Sequence, residues 1–68
     1  MSKWQVVFTT RLLYKAEIVR GILEENNLKP VIMEKQDSMY KIGYFEVFVT
    51  QEQVLKALKT IENEIDIE

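Results

Sequence analysis

Ala16-Glu17-Ile18-Val19-Arg20-Gly21-Ile22-Leu23-Glu24-Glu25-Asn26-Asn27-Leu28-Lys29-Pro30-Val31-Ile32 reads as an amphipathic helix that stops at an asparagine pair and passes directly into a strand. At about 100° per residue, Leu12, Ala16, Val19 and Leu23 share one direction, with Leu13 and Ile22 at its margins. That arc predicts a core face. Glu17, Arg20 and Glu24 fall on the opposite side at spacings of three and four, which suits a solvated face. The apolar arc extends as far as Ile18, wider than contact with a sheet alone requires, so one flank is expected to touch a second helix. Asn27 suits the left-handed conformation that closes a helix, Leu28 is placed to pack back on the last turn, and Pro30 forbids continuation.

Outward from this unit, Trp4-Gln5-Val6-Val7-Phe8-Thr9 is β-branched and aromatic and predicts a first strand. Thr9, Thr10 and Arg11 lead into the helix, whose start falls between residues 11 and 14. Pro30 to Glu34 predicts a second strand, with proline at its entrance. Lys35 to Gly43 is a polar connection. Tyr44-Phe45-Glu46-Val47-Phe48-Val49 is the strongest strand signal in the chain. Thr50-Gln51-Glu52-Gln53 has the form of a capping box. It opens a second amphipathic helix through about Asn63, on which Val54, Leu58, Ile61 and Ile65 point one way with Ala57 alongside. The tail Glu64-Ile65-Asp66-Ile67-Glu68 alternates apolar and acidic residues, as a short fourth strand or a frayed end would. The order β-α-β-β-α, with or without a final strand, predicts one α+β domain over residues 1–68. Right-handed crossovers would put both helices on one face of an antiparallel-containing sheet, the ferredoxin-like split βαβ arrangement.

The strand ending Phe8-Thr9-Thr10, then Ala16-Glu17-Ile18, Gly21, Leu23-Glu24, the helix stop, Leu28 and Pro30, and Val47-Phe48-Val49 before a capped helix, resemble the small bacterial domains described as signal-transducing proteins of unknown function. These are grouped by fold with the PII-like regulators. The resemblance covers roughly residues 4 to 62. Asn26-Asn27-Leu28 stands where those domains typically have Asn-Gly-Ile, a change that keeps the helix-closing logic. The resemblance implies a regulatory module, or a small-ligand or nucleotide sensor of PII-like type, and supplies no catalytic or ligand residue.

The composition of the 68 residues narrows the chemistry. With no Cys, neither disulfides nor thiolate metal sites reinforce a small core, and with no His the commonest general base and metal ligand is missing. Ordinary hydrolytic triads are therefore excluded, and the chain is expected to be non-enzymatic, without cofactor or metal. The carboxylates of Glu62, Glu64, Asp66 and Glu68 lack an EF-hand loop and suit a solvated tail. The net charge of −2, with basic residues scattered along the chain, argues against a phosphate-backbone surface. Aligned with the third strand of an RNA-recognition motif, Glu46 falls where a base-stacking aromatic belongs. No phosphate-binding glycine motif is present, and Thr9, Thr10 and Arg11 are the one candidate anion site. No apolar run is long enough for a membrane span or signal peptide, so a cytoplasmic location is expected.

The faces of the strands leave one further signal. Phe45, Val47 and Val49 form the face expected under the helices, leaving Tyr44, Glu46 and Phe48 on the other. The first strand is apolar on both sides, so Trp4 or Val7 joins that second face according to its phase. A sheet with helices on one side should be polar on the other. This one is not. Trp4, Val7, Tyr44, Glu46 and Phe48 are therefore the candidate interface residues of a two-fold homodimer or a protein complex, with Glu46 at its rim or facing a base from the other subunit.

Overall fold

A computed structural model describes residues 3–64. Strand β1 (Trp4–Thr10) leads to helix α1 (Leu13–Glu25), strands β2 (Val31–Gln36) and β3 (Gly43–Thr50), a short 3-10 turn at Gln51–Gln53, and helix α2 (Val54–Glu64). The three strands form one antiparallel sheet in the order β1-β3-β2. The fold is thus α+β, in the order expected from the sequence. The expected alternative for the tail falls mostly on residues 65–68, which lie outside the described residues.

The stop of α1 builds the corner on which the fold turns. Asn27 takes φ 67°, and its N–H donates to the Glu24 carbonyl at 3.1 Å while the Leu28 N–H donates to the Leu23 carbonyl at 3.0 Å. These are the paired bonds of a Schellman ending, in which two otherwise unpartnered carbonyls of the last turn are satisfied. Asn26 adds its side-chain Nδ2, which donates to the Ile22 carbonyl at 2.8 Å. Leu23 and Leu28 are both buried, so the apolar contact that accompanies this ending is also made. Pro30 stands immediately before β2, where its missing N–H costs nothing.

One core holds the layers together. Ala16, Val19 and Leu23 of α1, Leu28, Val47 and Val49 of β3, and Ala57 and Ile61 of α2 are all buried in a single cluster, so both helices cover the Val47/Val49 side of the sheet. Phe8, Ile32, Phe45 and Val54 pack against its margin. Among the described residues the one buried polar side chain, Thr60, bonds its hydroxyl to the Lys56 carbonyl at 2.8 Å, as buried hydroxyls generally do.

Four local expectations are corrected. Leu58 is 45% exposed, because α2 turns Ala57, Thr60 and Ile61 toward the sheet, and the small Ala57 and Thr60 occupy the buried face. Leu12 and Leu13 are also exposed; α1 begins only at Leu13, so these two lie before and within its first turn, at the margin of the core. Ile18 is likewise exposed, and the helices meet through the buried cluster and not through that flank. The capping box does not form: Thr50 precedes the 3-10 turn without a side-chain cap, and Gln53 instead accepts the Lys29 N–H on Oε1 at 3.3 Å, tying that turn to the chain that enters β2.

The β2–β3 connection is organised by Asp37. Its Oδ1 accepts the N–H groups of Met39 (2.8 Å) and Tyr40 (3.1 Å), and its own N–H and carbonyl bond Ile42 (3.0 Å) and Lys41 (2.7 Å). Lys41 adopts φ 57° to close the turn. An aspartate that bonds the backbone two and three residues on is a turn former by its own short geometry.

Candidate functional site

The register of the sheet decides what its uncovered face carries. β1 pairs with β3 as Trp4 with Thr50, Val6 with Phe48, and then, after an irregularity, Phe8 with Val47 and Thr9 with Glu46. One residue, Val7, is inserted, which is a β-bulge, and it shifts the alternation of the strand from that point on. Val7 and Phe8 therefore both pack toward the core, while Trp4, Val6 and Thr9 share the face of Phe48 and Glu46. This resolves the double-sided apolar pattern of β1. Of the five candidate interface residues, Trp4, Tyr44, Glu46 and Phe48 lie together on the open face, and Val7 does not.

β2 completes the face. Val31 pairs with Phe48, Met33 with Glu46 and Lys35 with Tyr44. Trp4, Val31 and Met33 are 52%, 42% and 46% exposed, and with Phe48 they line a shallow groove of about 310 Å³. The row Val6, Phe48, Val31 is apolar across all three strands. Val6, Val31 and Met33 were not singled out from the sequence, because Val31, Ile32 and Met33 are all apolar and the phase of β2 cannot be read from so short a run.

Charge on this face is confined to its other end. Lys35 Nζ lies 4.0 Å from Glu46 Oε1, a diagonal cross-strand pair. Glu46 thus meets a base of its own chain, and needs none from another subunit. With Lys35 largely in solvent and the contact long, its contribution to stability is small.

Thr9, Thr10 and Arg11 border a second, wider cleft of about 610 Å³, shared with Asp37, Tyr40, Ile42 and Tyr44. Thr10 Oγ1 already accepts the Leu12 N–H at 3.1 Å. The lining carries one acidic and one basic side chain, Asp37 and Arg11. Among the described residues, no group of three or more carboxylates is placed to hold a metal ion, and no helix is long and apolar enough to cross a membrane.

The arrangement offers an apolar surface on the open side of the sheet, bordered by the Lys35–Glu46 pair. Compared with protein-family models, with curated proteins and with solved structures, the chain finds no match in any of the three.

Proposed function

We propose that this protein is a non-enzymatic binding or regulatory module that acts through protein-protein contacts made by the open face of its sheet. The observation that carries the reading is the apolar row of Val6, Phe48 and Val31, flanked by exposed Trp4 and Met33, on the side that neither helix covers. Leaving such area in water costs about 25 cal/mol per Å², and monomeric proteins seldom keep a contiguous patch of this kind without a use. The order β-α-β-β-α with strands arranged β1-β3-β2 supports the ferredoxin-like split βαβ reading, and with it the resemblance to small bacterial signal-transducing domains. A cytoplasmic location belongs to the same proposal.

Trp4 is the chain's single tryptophan and stands on the patch. Labelled as 5-fluorotryptophan, it gives one fluorine resonance that reports whether the face is covered. The resonance is expected to shift with protein concentration or on adding cell extract, and Phe48→Glu to abolish the shift. A resonance unmoved by either addition would sink the proposal.

A second reading, a small-ligand or nucleotide sensor of PII-like type, draws on the 610 Å³ cleft, a size suited to small molecules, in which Tyr40 and Tyr44 lie with Arg11. A thermal-shift screen against nucleotides and common metabolites tests it. A stabilisation lost in Arg11→Ala would favour this reading over the first.

A further inference from the structure

We draw no further inference here: the strongest candidate, the open cleft between the end of β1 and the β2–β3 turn, has no buried side chain in its lining to select a ligand and belongs to the site already described.

Discussion

Leu23 and Leu58 occupy equivalent centres of their helices' apolar arcs in the sequence, yet the structure separates them sharply. Leu23 is fully buried, and its carbonyl accepts the Leu28 N–H that closes α1. Truncation to alanine leaves a cavity between α1 and Val47 and Val49 and should cost ~2–5 kcal/mol. A chain of 68 residues has a total stability of roughly 3–10 kcal/mol at ~0.05–0.15 kcal/mol per residue. Leu23→Ala therefore removes a large share of it. Leu58, 45% exposed, borders water on the outer side of α2, so its truncation opens no closed cavity. Its loss should cost about 1 kcal/mol or less. Urea unfolding followed by circular dichroism reads the difference: with a slope near ~1 kcal/mol per M, the midpoint falls by ~2–5 M for Leu23→Ala and by at most ~1 M for Leu58→Ala. Equal shifts for the two variants would refute the rotation of α2 described here.

Gly21→Ala should raise stability by about 0.5–1 kcal/mol, because glycine is a poor helix former, its φ is not positive and an added Cβ meets nothing within 4 Å. Thermal denaturation should show a melting temperature higher by several degrees. At Asn27, whose φ is 67°, substitution to glycine should be neutral or stabilising, and substitution to alanine should cost about 1 kcal/mol, since only the latter adds strain in the left-handed region. The order of the two urea midpoints checks this.

What was legible in the sequence was local. The end of α1 follows from Asn27, Leu28 and Pro30 within four residues, and no distant contact alters it. The strands followed from β-branched and aromatic runs for the same reason. What was not legible depended on packing at a distance. The bulge at Val7 inserts one residue with no glycine to announce it; its trace was the apolar character of β1 on both sides, which a simple alternation cannot explain. The capping box at Thr50 failed because Gln53 is drawn to Lys29, 24 residues away in sequence. The apolar arc of α2 was centred on Leu58, whereas the helix turns the side bearing Ala57, Thr60 and Ile61 inward, a rotation set by packing against the sheet. On the candidate site, Trp4, Tyr44, Glu46 and Phe48 were identified from β1 and β3, whereas Val31 and Met33 needed the register of β2.

The claim that the open face of the sheet is a contact surface is tested most directly by sedimentation velocity of the wild-type chain and Phe48→Glu across a concentration series reaching tens of micromolar. Phe48 lies between Val6 and Val31 in the apolar row, so the substitution sets a carboxylate at the centre of that face. The wild-type mass should rise with concentration toward twice the 8.1 kDa of the single chain, and Phe48→Glu should remain at 8.1 kDa throughout. A wild-type chain that stays at 8.1 kDa across the series, or a Phe48→Glu variant that dimerises equally well, would contradict the account.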